Sequence, residues 1–265
     1  MLTSSAFLLP SVPTMLIDEQ RGDFTEMIES VTAVGERLLD EAPAAIVAVS
    51  SRWVSPGPFA TDDARKHRSV IDLPAFGVEP RHDCRGYPVL ARALVEAAAK
   101  AGLRAACGRR GMDSGTAIPL HFIDRARGIP VVPVSIGDGS REEHRAWGAA
   151  IRHALNGWPE RIAFVVGGAL SFHLHAYNLK REVAEALELD ERVLDAMKRG
   201  AWGEIAALDG ELLEKAHPDA GLRHLDVLRG FLLVDARGEM LGHETSPGVG
   251  TALVEFALEH TGAGY

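Results

Sequence analysis

The stretch Ile162-Ala163-Phe164-Val165-Val166-Gly167-Gly168-Ala169-Leu170-Ser171-Phe172 decides the fold. Its first part, Ile162–Val166, is apolar without alternation, which reads as a strand buried on both faces, and Gly167-Gly168 reads as a tight turn where that strand ends. Strands of this kind belong to sheets covered by helices on each side, so the flanking sequence should alternate between strand and helix. It does: Ser5–Leu9, Ala45–Val49, Leu103–Ala106, Val131–Ile136 and Thr251–Phe256 read as further strands. Met27, Val31, Val34 and Leu38 recur at helical spacing between the first pair and form one apolar stripe. Pro88 can open a helix that carries Leu90 and Leu94 and stops at Gly102. Ser140 and Glu143 have the spacing of a capping box ahead of a buried stripe of Trp147, Ile151 and Leu155. From Leu179 to about Leu233 the pattern is helical but broken at Gly200, Gly203, Gly210 and Pro218, which predicts several short helices. The segment Ser51 to Asp83, with Pro56, Pro58 and Pro74, reads as a long loop of the sort that lines sites.

The expected fold is therefore α/β, a single domain over residues 1–265 with a central, mostly parallel or mixed sheet flanked by helices. With 46% of positions apolar, the chain has material for one large core. A formal net charge of -9 argues against a nucleic-acid or anionic-membrane surface, both of which need clustered Lys and Arg. Small molecules and other proteins remain as partners. Cys84 and Cys107 are too few for a disulfide scaffold and show no C-x-x-C spacing. Met1–Pro10 has no basic leader region, and no segment approaches the roughly 20 apolar residues of a membrane span. The expected location is the cytoplasm.

Four stretches stand at the ends of predicted elements: Pro10-Ser11-Val12-Pro13, Val49-Ser50-Ser51-Arg52-Trp53, Asp113-Ser114-Gly115-Thr116-Ala117-Ile118-Pro119-Leu120, and Val166 through Phe172. In order and spacing they resemble the class III extradiol ring-cleaving dioxygenases of the protocatechuate 4,5-dioxygenase β-subunit type, over nearly the whole chain. In active members of that family two histidines and a glutamate hold Fe(II) with positions open for a catecholic substrate and oxygen, and a further histidine serves as acid and base. Carried over residue by residue, the first ligand histidine falls at Ser11 and the second at Arg52. The family's Asp-His-Gly becomes Asp113-Ser114-Gly115, and the acid/base position falls at Phe172, or at His173 if the register slips by one. The segment His217-Pro218-Asp219-Ala220-Gly221-Leu222-Arg223-His224-Leu225 resembles the family's His-Pro…Glu-His helix, which puts Arg223 at the ligand glutamate and His224 beside it.

A guanidinium offers a metal no lone pair and repels it by charge. The resemblance thus implies no metal and no cofactor at these positions. Ser5-Ala6-Phe7-Leu8-Leu9-Pro10, the Ser-Gly-Thr in place of His-Gly, and the ending from Arg223-His224-Leu225 to Ser246-Pro247-Gly248-Val249-Gly250-Thr251 are similar to the non-catalytic α-subunit type of the 2-aminophenol 1,6-dioxygenases. That likeness implies a structural or regulatory subunit in aromatic-compound catabolism, whose partner is a catalytic β-type chain. A homodimer is the alternative assembly.

Other readings of the same residues stay open. Ser11 and Ser114 suit ordinary turn positions that bond local backbone. Arg52 and Arg223, if buried, need anionic partners: either a structural ion pair, for instance with Asp113, or a bound carboxylate or sulfate, as in a metal-free module for a small aromatic acid. An active Fe(II) enzyme with shifted ligands would draw on His121, His173, His175, His224 or Glu244. On a strand, His173 and His175 would share a face. Arg81-His82-Asp83 reads as a solvated loop, and Gly242 with Thr245-Ser246-Pro247-Gly248 as a turn before the last strand. Gly167-Gly168 lacks the G-x-G-x-x-G continuation of a nucleotide site, and no Ser-His-Asp or Cys-His set stands at motif spacing.

Overall fold

In the computed structural model, which describes residues 1–258, the unalternating apolar runs occupy the middle of one sheet. Residues 259–265 of the expected domain lie outside the described residues. In chain order the strands are β1 (Leu2–Pro10), β2 (Ala45–Ser55), β3 (Phe59–Asp62), β4 (Lys66–His67), β5 (Cys84–Arg85), β6 (Ala105–Gly108), β7 (Val131–Gly137), β8 (Ile162–Gly168), β9 (Glu239–Ser246) and β10 (Val249–Ala257). The helices are α1 (Thr14–Arg21), α2 (Glu26–Asp40), α3 (Pro88–Lys100), α4 (Ser114–Ile123), α5 (Arg141–Asn156), α6 (Leu174–Asn178), α7 (Ala184–Arg199), α8 (Trp202–Ala206), α9 (Gly210–Ala216) and α10 (Arg223–Leu232).

Eight strands form a mixed sheet in the order β6-β3-β7-β2-β8-β1-β10-β9. Its centre, β7-β2-β8-β1, is parallel, whereas β10 runs antiparallel to β1 and β9 antiparallel to β10. Side chains alternate between two cores. On one face Val47, Phe164 and Val166 pack with Leu90 of α3, Trp147 of α5, Leu189 of α7 and Phe231 of α10. On the other, Ile46, Ala48 and Val165 meet Met15 of α1, Val31 and Leu38 of α2, and Ile118 of α4. Phe164 and Phe231 stack face to face with centroids 3.6 Å apart, which fixes α10 over β8. The capping box at Ser140 and Glu143 forms as expected and starts α5. Among the described residues no helix is long and apolar enough to cross a membrane.

Several expectations are corrected. The predicted loop from Ser51 to Asp83 carries the end of β2, the sheet strand β3 and a short 3-10 turn at Pro74–Phe76. β3 is only four residues and buried throughout, too short for its period to show. The strand expected at Leu103–Ala106 lies two residues later, at Ala105–Gly108. Gly242, Thr245 and Ser246 belong to the strand β9, whose polar sequence lacks the alternation of a half-buried strand because it is a sheet edge; only Pro247 and Gly248 turn. Gly203 lies inside α8 and does not break a helix, while Gly200 ends α7 in a left-handed conformation, as a helix stop should. His82 is not solvated: it is fully buried, and its N–H donates to Ser69 Oγ at 2.7 Å. Only its neighbours Arg81 and Asp83 are exposed.

Truncation of the stacked ring, Phe231→Ala, is expected to cost about 3–5 kcal/mol through lost burial and the cavity left over β8. Urea unfolding followed by circular dichroism measures it, and a loss under about 1 kcal/mol would contradict the packing described.

Candidate functional site

The parallel strands β1, β8, β2 and β7 all end at one edge of the sheet, and in open α/β sheets such an edge is where binding crevices form. Local irregularity shapes it. Along β2 and β7 the pairing runs in register to Ser50↔Ser135 and resumes only at Val54↔Ile136, so Ser51, Arg52 and Trp53 bulge out of the ladder. Bulges of this type re-aim side chains next to sites. The Arg52 backbone N–H, released from the ladder, donates to Ser50 Oγ at 3.1 Å. On β8 the glycine pair permits close approach from both faces: a Cβ on Gly167 would lie 1.8 Å from the Gly115 carbonyl of α4, and one on Gly168 would lie 2.6 Å from the His224 ring of α10.

Arg52 does not pair with Asp113. Its Nη1 donates to Asp219 Oδ1 at 3.0 Å, in a contact whose side chains are 14% and 2% exposed. The other carboxylate oxygen of Asp219 accepts from Ser51 Oγ at 2.8 Å and from the Ala169 backbone N–H at 2.9 Å. The flat face of the Arg52 guanidinium rests on the Phe172 ring, 3.8 Å from its centroid. Phe172 in turn adjoins Phe76, which adjoins Tyr177, with centroid distances of 6.4 Å and 5.2 Å. Burial works against ionisation of Asp219, but Arg52, His224 and the hydrogen bonds together hold its carboxyl below the usual range. Around it the backbone is strained: His217, Ala220 and Leu222 all have positive φ, at 50°, 49° and 61°. Each such non-glycine residue costs on the order of 1–2 kcal/mol and persists only where its surroundings enforce it.

The remaining sequence-predicted residues divide. Asp113 stands just before α4 with its carboxylate buried, accepting from Ser50 Oγ at 2.6 Å and Arg110 Nε at 3.1 Å, and burial raises its pKa. Ser114 is no turn residue bonding local backbone; it opens α4 and its Oγ and N–H both donate to Asp72, at 2.9 and 3.1 Å. Ser11 is fully buried, and its Oγ has no partner among the described residues. Arg223 turns to backbone carbonyls, donating to Ala220 and Gly137 at 3.0 and 2.7 Å, and pairs with no carboxylate among the described residues. His224, adjacent, is the one that turns to the end of β8: it is fully buried on Gly168, both ring nitrogens lack partners among the described residues, and burial lowers its pKa. His173 and His175 lie at the start of the helix α6, not on a strand, and their ring centroids are 6.5 Å apart. His121 bonds Glu19 of α1 at 2.6 Å. Glu244 is on the edge strand β9. Among the described residues no group of three or more His, Cys, Asp or Glu is placed to hold a metal ion.

Sequence reasoning missed Asp219 and Ser51 as partners, and it missed Asp190. Asp219 follows Pro218 inside a segment already singled out, so that proline-aspartate start was the available signal. Asp190 of α7 is buried under the loop that carries Phe172; Ser171 Oγ donates to its Oδ2 at 2.9 Å while Oδ1 lacks a partner among the described residues. Burial pushes its pKa up to about 7.

The parallel strand ends, the bulged β2 and the buried polar groups between α4 and α10 mark the sheet edge of this α/β protein as its candidate site. Residues 5–254 match the family described as the catalytic LigB subunit of aromatic ring-opening dioxygenase, and the chain belongs to that family. It is thus a ring-cleaving-dioxygenase-like protein. Among solved structures the chain is similar to the uncharacterized protein JW3007 from Escherichia coli K12, with a TM-score of 0.69 and 16% identity over 96% of this chain and 99% of that one, a likeness of fold. Among curated proteins none matches.

Two outcomes follow for stability. Arg52→Ala leaves the Asp219 carboxylate buried and unpaired, so a loss of about 3–5 kcal/mol is expected in chemical denaturation, with a much smaller additional loss when Asp219→Asn is combined with it. For Asp190 the folded-state pKa is raised, so its proton stabilises the fold below the unfolded value of 3.8, and that stability is lost as pH rises to about 7. Asp190→Asn should therefore raise stability at pH 8 by roughly 1–3 kcal/mol and change it little at pH 4; equal effects at both pH values would refute the assignment.

Proposed function

We propose that this chain is a non-catalytic member of the ring-opening dioxygenase family, serving in the cytoplasm as a structural or regulatory subunit beside a catalytic β-type partner in the breakdown of aromatic compounds. The observation that carries the reading is the Arg52–Asp219 ion pair at the ends of the parallel strands. The family's Fe(II) needs neutral imidazoles and a free carboxylate. Here the two positions that the resemblance assigns to histidine hold Ser11 and Arg52. Asp219, the buried carboxylate beside them, is engaged by Arg52, Ser51 and the Ala169 N–H, so its oxygens already accept from three donors. A guanidinium at this distance supplies the positive charge that a metal would otherwise bring, and it cannot share the carboxylate with one without unfavourable repulsion. That donor set does not fit ferrous iron.

Phe172 supports the same reading. At the position the resemblance gives to the acid/base histidine, it carries no proton and instead covers the guanidinium. His173, one residue on, uses Nδ1 to accept from the Ala176 N–H at 3.3 Å as the cap of α6. The shifted-ligand alternative gains nothing from His121, which bonds Glu19, or from Glu244, which lies on the edge strand β9. A family fold kept whole without its reaction centre is useful as a surface for assembly, which is why a partner subunit, and failing that a second copy, is the proposed occupant.

Purification under anaerobic conditions with Fe(II), followed by elemental analysis and oxygen-electrode measurements with catechol and 2-aminophenol, tests the proposal. Sub-stoichiometric iron and no substrate-dependent oxygen uptake by the isolated chain are expected. One iron per chain with catechol-dependent uptake would sink the reading. Co-expression with a catalytic chain of the same family encoded beside it should yield a complex that restores uptake.

A further inference from the structure

We propose that His173, His175 and His217 form a proton-operated latch, which holds the short helix α6 over the aromatic cover of Arg52 while the three rings are neutral and releases it when they are protonated. The inference goes beyond the subunit reading of this chain and does not depend on it. The rings of His173 and His217 lie against each other, with centroids 4.1 Å apart, and the His175 ring is 6.5 Å from that of His173. No carboxylate among the described residues pairs with any of the three; the histidines that do have one are His67, His82 and His121. His175 and His217 are exposed and His173 is half-buried, so protons reach the cluster from solvent. His173 also holds the helix itself. Its Nδ1 accepts from the Ala176 N–H at 3.3 Å and so caps α6, and a ring nitrogen can accept only while it carries no proton. Protonation therefore removes the cap and sets like charges on facing rings in one step.

Little else ties α6 down. Its one buried residue, Ala176, packs with Val183 and Ala186 in a small cluster separate from the two main cores. Few buried apolar contacts mark a segment that opens at low cost. Its other anchor is Tyr177, whose ring meets Phe76; Phe76 adjoins Phe172, the ring that covers the Arg52 guanidinium. The His173 N–H donates to the Gly248 carbonyl at 2.7 Å, which fixes the base of α6 as a pivot. The charged groups around the latch favour release in acid, with one exception. Burial, the His217 ring, Arg181 and His175 all hold the pKa of His173 below its ordinary 6.5. The stability that its neutral ring brings is thus full above 6.5 and lost as pH falls through the lowered value. The turn at Gly248 brings no titratable side chain against His173. Glu214 and Lys215 lie in the last turn of α9, before His217, with Lys215 paired to Glu211, and Asp18 and Arg21 of α1 bring one charge of each sign to Tyr177. The exception is Asp190 of α7, bonded to Ser171 of the same loop: burial raises its pKa to about 7, so it gains its proton as pH falls and steadies the loop. Asp190 opposes the latch and cannot be the source of the release.

Hydrogen exchange of the full chain, read by mass spectrometry at about pH 7.5 and about pH 5 and corrected for the intrinsic pH dependence of exchange, decides the matter. The same comparison is made with Asp190→Asn, which removes the opposing titration. In acid the amides of α6 and of residues 179–181 are expected to lose protection by about tenfold or more, with β8 unchanged. His173→Asn keeps a side-chain cap that does not titrate, so it should retain the protection of α6 at about pH 7.5 and lose most of the acid effect. His217→Ala removes the facing charge and should reduce the acid effect. Equal protection of α6 at both pH values in wild type and Asp190→Asn alike would overturn the proposal. So would an undiminished acid effect in His173→Asn, or a loss shared equally by β8, which is unfolding of the whole chain. Should His173→Asn fail to fold, a proton NMR titration of the wild-type chain serves: the α6 amide signals must move with the midpoint of the His173 or His217 ring, and a different midpoint or no movement counts against the latch.

Discussion

Everything at the sheet edge hangs on the contact between Arg52 and Asp219. Three separate pieces of chain converge on that carboxylate: the bulged end of β2 through Arg52 and Ser51, the turn after β8 through the Ala169 N–H, and the 3-10 turn that carries Asp219 itself. A buried ion pair stabilises little when its groups are left partly unsatisfied, because desolvation of both charges offsets the attraction. On the Asp219 side that condition is met, with donors on both oxygens. On the Arg52 side it is not, since Nε and Nη2 lack partners among the described residues, and each unmade buried donor costs about 1–3 kcal/mol. The pair is therefore firm at one end and unsaturated at the other.

The strain next to Asp219 follows from this anchoring. Residues 217–219 are laced to the loop after β8 by Phe172 N–H to the His217 carbonyl and Asp219 N–H to the Leu170 carbonyl, both at 2.8 Å. The same loop bonds on its other side to Gly248 and Gly250 at the start of β10. Held between two segments, the chain must reverse sharply before α10 begins, and Ala220, Gly221 and Leu222 do so with successive positive φ angles. The result sets the start of α10, so that His224 meets Gly168 while Arg223 turns away to the end of β7.

The fold was legible because its centre obeys simple rules. Ile162–Val166, Val131–Ile136 and Ala45–Val49 are buried on both faces, and unbroken apolar runs are what that burial demands. Legibility failed where tertiary contacts replace local pattern. β3 is short, β9 is a polar edge, and His82 is buried in a run that looks fully charged. For the site, sequence could point to Arg52 because the resemblance puts it at a metal position that its residue type does not suit, but it could not supply the partner. Asp113 and Asp219 both precede a helix and both end up buried, and only the bulge at Ser51–Trp53 determines which one the guanidinium reaches. A three-residue bulge leaves no mark in composition or periodicity.

A metal in a crevice of this kind would do two jobs, chemical and mechanical, and they separate on physical grounds. The chemical job needs lone pairs and open coordination positions, neither of which a guanidinium has. The mechanical job needs only a positive charge that draws strand ends and a carboxylate together, which Arg52 supplies with more directional hydrogen bonds than a spherical ion. A chain that exchanges histidine for arginine at such a point can keep the sheet edge, the turn and the start of α10 in place while giving up the reaction. The unsaturated edge of Arg52 is then the natural residue of the exchange: a metal distributes its charge over several ligands, whereas a guanidinium with one carboxylate at Nη1 still presents a second, directed pair of donors.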